Sequence, residues 1–222
     1  MTPLVKICGL STPESLDAAI AAGADMVGFV FFARSPRHID FATARALGRR
    51  ARGRATIVAL TVDADDALLS DVVEALDPDM LQFHGKESPE RVAAIGALYG
   101  RRTLKAVGVA APDDLAAAGA YDGAADFLLI DAKPPKGAAL PGGNGLPFDW
   151  RLARDFAPRR PWLLSGGLAP DNVAAAIRAT GARGVDVSSG VESAPGVKDE
   201  TRIAAFVAAA RTGLARTPLG AK

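Results

Sequence analysis

A single cysteine among 222 residues leaves no partner for an internal disulfide. A reducing compartment follows as the expectation. With two histidines and that one cysteine, no Cys/His cluster of metal-ligand spacing can be assembled. Excess charge of one sign is also missing: 26 basic and 25 acidic residues give a net charge of +1. Neither a nucleic-acid partner nor an anionic membrane surface is called for. No apolar stretch reaches the ~18 residues of a membrane span. Lys6, Glu14 and Asp17 interrupt any signal-peptide core. These absences point to a soluble protein of the cytoplasm acting on a small molecule.

What is present is alternation. Short apolar runs, "LVKICG" (4–9), "DMVGFVF" (25–31), "ATIVALTV" (55–62), "DMLQFHG" (79–85), "TLKAVGV" (103–109), "DFLLID" (126–131), "PWLLSGG" (161–167) and "GVDVSSG" (184–190), have strand length and strand composition. Ala-rich segments of helical spacing separate them. Thr12-Pro13-Glu14 and Ser88-Pro89-Glu90 read as helix starts, each with a cap and a proline in the first turn, and Ala169-Pro170-Asp171 repeats the proline signal. Segments 64–75 and 197–211 also read as helices, and the tail after Arg211 as frayed.

Eight such units fit either an open doubly wound sheet or a closed (β/α)8 barrel. The count favours the barrel, as one domain over residues 1–222. Cys8, Asp63, His84, Asp131, Ser165 and Ser188 all end their runs, and a barrel gathers those ends on its active face. No G-x-G-x-x-G follows the first run, so a dinucleotide fold is disfavoured.

Two consecutive loops, with Gly166-Gly167 and Ser188-Ser189-Gly190, stand where barrels hold phosphate on backbone N–H groups. Their plainer reading is two tight turns. Asp131 closes an apolar run, where desolvation favours the protonated carboxyl and suits it to act as an acid; the plainer reading is a loop cap. Alternation turns Leu4, Lys6 and Cys8 into the barrel and Val5 and Ile7 outward. By the same rule Asp186 and Ser188 share a face, so a Lys6–Asp186 ion pair is expected in the mouth, with Lys6 favouring a Cys8 thiolate. A buried structural thiol is the alternative for Cys8. Arg37, stiffened by Ser35-Pro36, can clamp a carboxylate, with Arg34 as competitor. His84 is read as bonding a neighbouring loop, with substrate contact the alternative. Loop 132–147, with glycines 142, 143 and 145, is read as a binding loop or lid.

The ordered set "KICGL", "GADMVGFVFFARSPRHI", "LQFHG", "PGGNGLPFDW", "LSGGLAPDNV" and "GVDVSSGVE" closely resembles the phosphoribosylanthranilate isomerase family of tryptophan biosynthesis over residues 4–210. The resemblance implies a (β/α)8 barrel and a cofactor-free Amadori rearrangement. It places the general base on Cys8, the general acid on Asp131 and the anthranilate carboxylate on Arg37. It puts phosphate on Gly166, Gly167, Ser188, Ser189 and Gly190. The implied partner is one small molecule carrying a phosphate and an aromatic carboxylate, with monomer and homodimer both open. Phe83, Ser165 and Asn144 depart from residues the family often has there, away from the implied acid and base. Two rivals stand beside this reading. One is the related histidine-pathway isomerase, which uses aspartate as the base where Cys8 stands here. The other is a non-catalytic barrel that senses a phosphometabolite.

Overall fold

A computed structural model describes residues 2–133, 142 and 149–216. Eight parallel strands close into a barrel in chain order. They are β1 (Leu4–Cys8), β2 (Met26–Phe31), β3 (Thr56–Thr61), β4 (Met80–Phe83), β5 (Arg102–Val109), β6 (Phe127–Ala132), β7 (Trp162–Leu164) and β8 (Gly184–Val187). Closure pairs β1 with β8 and sets Lys6 opposite Asp186.

Seven α-helices cover the barrel among the described residues: α1 (Pro13–Ala21), α2 (Phe41–Ala51), α3 (Asp66–Leu76), α4 (Pro89–Tyr99), α5 (Pro112–Ala118), α6 (Val173–Thr180) and α7 (Glu200–Ala215). An eighth helix is not seen there; between β6 and β7 the described residues hold one 3-10 turn at Trp150–Ala153. The proline signals at 13 and 89 do mark first turns, where Thr12 and Ser88 cap Ser15 and Arg91. The one at Pro170 does not. Asn172 ties the Gly-Gly loop instead, accepting from Ala169 N at 2.8 Å and donating to Gly167 O at 2.9 Å, and α6 begins at Val173. Segment 197–211 divides. Glu192–Ala194 (β9) and Val197–Lys198 (β10) form a small antiparallel hairpin, and the helix starts only at Glu200. Into the segment read as a frayed tail, α7 continues to Ala215, with Gly213 and Leu214 buried, and residues 217–222 lie outside the described residues. No helix among the described residues is long and apolar enough to cross a membrane.

Strand alternation divides the apolar side chains between two layers. Val5, Ile7, Val27, Phe29, Ile57 and Leu81 face outward and bury against the helices. Met26, Val58, Met80, Leu104, Leu129 and Leu163 fill the lower barrel interior. Above that plug the interior is shared between polar groups and a small apolar cluster of Cys8, Val30 and Leu60.

The barrel floor repeats one device. Asp25, Asp79 and Asp126, each directly before an even-numbered strand, accept the backbone N–H of Val5, Ile57 and Thr103 at 2.7, 2.7 and 2.8 Å. Each carboxylate thus ties one strand's entry to the preceding strand. Asp126→Ala strands the buried Thr103 N–H and is expected to cost about 1–3 kcal/mol in urea unfolding. Any activity should persist, because the floor lies opposite the face on which barrels of this kind build their active sites.

Candidate active site

Cys8 ends β1 and is 4% exposed. It points inward, packed with Val30 and Leu60. Gly28 on β2 makes room for it: a Cβ there would lie 2.9 Å from the sulfur. Two residues deeper, the fully buried Lys6 ammonium meets Asp186 Oδ1 at 2.7 Å, the pair that alternation predicts. Ser165 Oγ donates to the other Asp186 oxygen at 3.4 Å. Burial works against the Lys6 cation, but Asp186 and Cys8 outweigh it and raise its pKa. For Cys8 the balance goes the other way. Burial pushes the thiol up, and the opposing pull of Lys6 does not cancel it. The expectation that Lys6 favours the thiolate is right in sign, but smaller than desolvation.

Across the barrel, Asp131 near the end of β6 is 7% exposed. Its Oδ1 accepts from Ala132 N at 2.8 Å. Its Oδ2 lies 3.3 Å from His84 Nε2. The Gln82 amide nitrogen stands 3.0 Å from His84 Nδ1. With Gln82 donating, Nδ1 accepts, so Nε2 carries the hydrogen and donates to Asp131. His84 therefore serves Asp131, not a neighbouring loop. The spacing of "LQFHG" carried that signal: Gln82 and His84 are two apart and share the inward face. Gly142 rests against this pair, since a Cβ on it would meet His84 Nε2 at 2.4 Å and Asp131 Oδ2 at 2.9 Å. Gly143, Asn144 and Gly145 lie outside the described residues, so the reading of loop 132–147 as a lid stays an expectation there.

The loops after β7 and β8 meet each other. Gly166 and Gly167 adopt φ of +84° and +65°, a region that disfavours side chains. Trp150 Nε1 holds Gly166 O at 3.2 Å. After β8, Ser189–Val191 forms a one-turn 3-10 helix preceded by Ser188. Among the described residues, the backbone N–H groups of Gly166, Gly167, Ser189 and Gly190 have no acceptor. Unpaired amides on two touching loops can receive an anion. Gly190 is where the loops touch: a Cβ there would lie 1.9 Å from Leu168 O. Gly190→Ala must part the loops at a strain cost of about 1–3 kcal/mol. The expected result is a rise in KM on the order of tenfold, measured in steady state on folded protein.

Arg37 is 6% exposed and Arg34 lies at the surface, over the Phe32 ring. His38 is exposed. The Arg37 stem crosses Gly9, where a Cβ would meet Arg37 Cδ at 2.7 Å. Its guanidinium reaches Glu192, Nε to Oε1 at 2.7 Å and one Nη to Oε2 at 2.9 Å. Lys198 Nζ also meets Glu192 Oε1 at 2.7 Å, and donates to Ser188 O at 2.8 Å. Ser188 Oγ in turn donates to Cys8 O at 3.1 Å. Sequence reasoning missed Glu192 and Lys198. The "APG" turn between two short extended pieces was the available sign of a hairpin returning to the mouth.

One barrel mouth thus holds a buried thiol beside an ammonium, a carboxyl–imidazole pair, an amide cradle and a braced arginine. Known proteins are similar to this chain in sequence and in shape. A relative from Rhodopseudomonas palustris (strain HaA2), an N-(5'-phosphoribosyl)anthranilate isomerase, is 62% identical over 211 residues, 95% of this chain and 97% of its own length. One from Nitrobacter hamburgensis with the same name is 58% identical over 95% of this chain and 94% of its own. The phosphoribosyl anthranilate isomerase crystal structure from Thermotoga maritima superposes with a TM-score of 0.85 at 35% identity, covering 96% of this chain and all of that one. Another solved isomerase, in complex with reduced 1-(o-carboxyphenylamino)-1-deoxyribulose 5-phosphate, gives 0.81 at 33% identity, covering 96% of this chain and all of that one. The family model described as N-(5'phosphoribosyl)anthranilate (PRA) isomerase matches residues 5–209, and the chain belongs to that family.

Proposed function

We propose that this enzyme, acting in tryptophan biosynthesis in the cytoplasm, converts N-(5-phosphoribosyl)anthranilate to 1-(2-carboxyphenylamino)-1-deoxyribulose 5-phosphate, with Asp131 as acid and Cys8 as base. One observation carries the assignment. A buried thiol and a buried carboxyl stand on different strands of one mouth, with an amide cradle and a buried arginine beside them.

The phosphate sits on the amides of Gly166, Gly167, Ser189 and Gly190, flanked by Ser188, and the ring carboxylate meets Arg37. Holding both ends fixes the ribose between acid and base. Asp131, oriented by His84, gives its proton to the ribose ring oxygen. The C1–O bond breaks, and the anthranilate nitrogen lone pair forms the C1=N bond of a cationic Schiff base. Cys8, as thiolate, then takes the proton from C2. The C2–H electrons become a C1=C2 bond, and those of C=N return to nitrogen, leaving a neutral enolamine. Tautomerisation moves the C2 hydroxyl proton to C1 and gives the aminoketose. No atom is lost and no electrons leave the substrate, so the reaction needs no redox partner.

The test generates the labile substrate in situ from anthranilate and 5-phosphoribosyl pyrophosphate. The decay of its fluorescence with and without this protein is followed, and the aminoketose is separated from its isomeric substrate by chromatography and identified after borohydride reduction. Enzyme-dependent ketose formation is the expected result. Binding without turnover by the folded protein would favour a sensor, and turnover only of the histidine-pathway ribonucleotide would move the assignment to that isomerase.

A further inference from the structure

The β9–β10 hairpin has no part in closing the barrel, yet its two charged side chains turn back into the mouth. Glu192 is 6% exposed and accepts four donors: Arg37 Nε, an Arg37 Nη, Lys198 Nζ and, at 3.2 Å, Gly196 N. Burial opposes its charge, but Arg37 and Lys198 outweigh burial and hold the carboxyl below its ordinary range. The contact with Arg37 is two parallel N–H···O bonds, the geometry that fixes the plane of a guanidinium as well as its position. Arg202 Nη1 holds the Glu192 carbonyl at 2.7 Å, so the backbone behind the carboxylate is tied down too.

The hairpin also touches the loop that carries Arg37. Gly196 has φ +82°, and a Cβ there would lie 2.4 Å from Pro36 O, the residue before Arg37. On its other side the Arg37 stem lies across Gly9, next to Cys8. Arg37 is thus gripped by two parts of the chain, the hairpin at its loop and its head and Gly9 along its stem. One carboxylate serves two buried cations, Arg37 and Lys198. The cluster therefore keeps a net positive charge, which suits an anionic ligand group.

We propose that Glu192 is a positioning residue of this enzyme, holding the Arg37 guanidinium in the orientation that meets the substrate's ring carboxylate and so setting selectivity for a carboxylated aromatic amine. The proposal rests on the reading of Arg37 as the carboxylate's partner. An arginine already held loses little freedom when the ligand arrives, and that saving appears as affinity for the carboxylate alone.

The experiment measures Kd for two probes: the borohydride-reduced product, and the same compound without the ring carboxylate. The variants are Glu192→Gln, Arg37→Met and the double variant. Glu192→Gln is expected to weaken the carboxylated probe about tenfold, or ~1.4 kcal/mol. The carboxylate-free probe should change less than about twofold, because a purely structural defect would weaken both. In turnover KM should rise with kcat nearly constant, the mark of binding lost equally from ground and transition states. In the Arg37→Met background Glu192→Gln should add nothing. Glu192→Asp keeps the charge but draws it back by one methylene, and it carries the same test if the glutamine variant fails to fold. Equal weakening of both probes, or effects that multiply with those of Arg37→Met, would overturn the proposal. If Arg37→Met itself leaves the selectivity between probes intact, the carboxylate reading of Arg37 falls first and the role of Glu192 falls with it.

Discussion

Cys8→Ser is expected to lower kcat/KM about 10³-fold or more while leaving the Kd of the reduced product nearly unchanged. Positioned acid–base groups contribute roughly 10²–10⁴-fold each. Serine keeps the size of the side chain but is not ionised near neutral pH, so it cannot take the C2 proton. Asp131→Asn is expected to cost a similar factor, because an amide fits the His84 contact but has no proton to give. Stopped-flow fluorescence on the in situ substrate measures both. The pH dependence separates them. Burial outweighs Lys6 and pushes the Cys8 thiol up in the free enzyme. The reactive thiolate then gains population as pH rises, so kcat/KM should still be climbing at the ordinary thiol value of about 8.5. Bound substrate brings a cationic Schiff base beside the sulfur, which favours the thiolate. The limb of kcat should accordingly lie at lower pH than that of kcat/KM. If the two limbs coincide below about pH 7, the cysteine is not the titrating base.

What the sequence revealed of this site follows the reach of its rules. Strand alternation is local and exact to one residue, so Lys6 and Cys8 on one strand and Asp186 and Ser188 on another could be aimed inward from spacing alone. Closure then set strand one beside strand eight, and the ion pair followed. The glycine-rich loops were legible because their φ values leave few other residues possible. Arg37 could be singled out by its stiff loop, but not its partner. Glu192 lies 155 positions away on a hairpin too short to show strand periodicity. The stretch between strands six and seven misled for a related reason. Repeating βα units suggested a helix there, whereas the described residues contain one 3-10 turn whose Trp150 is spent on the Gly166-Gly167 loop. The direction of the Cys8 shift was beyond the sequence. It depends on a difference between burial and the nearby Lys6 charge, and burial is a property of the folded barrel.

Lys6→Met is expected to destabilise the protein by about 3–5 kcal/mol, because it leaves the Asp186 carboxylate buried with, among the described residues, only Ser165 Oγ at 3.4 Å to answer it. For a chain of this size that is a fall in Tm of roughly 6–20 °C, read by calorimetry. Replacing both partners, Lys6→Met with Asp186→Leu, should recover most of the loss, since two apolar side chains need no counter-charge. Stability alone therefore does not account for the pair, and its electrostatics on Cys8 offer the reason. Lys6 pulls the thiol down while Asp186 pushes it up, so the pair tunes the Cys8 thiol by difference. The restored double variant loses both, with Lys6 the stronger influence, and its limb of kcat/KM should move to higher pH although its Tm recovers. A double variant that regained both stability and the wild-type pH profile would reduce the Lys6–Asp186 pair to packing.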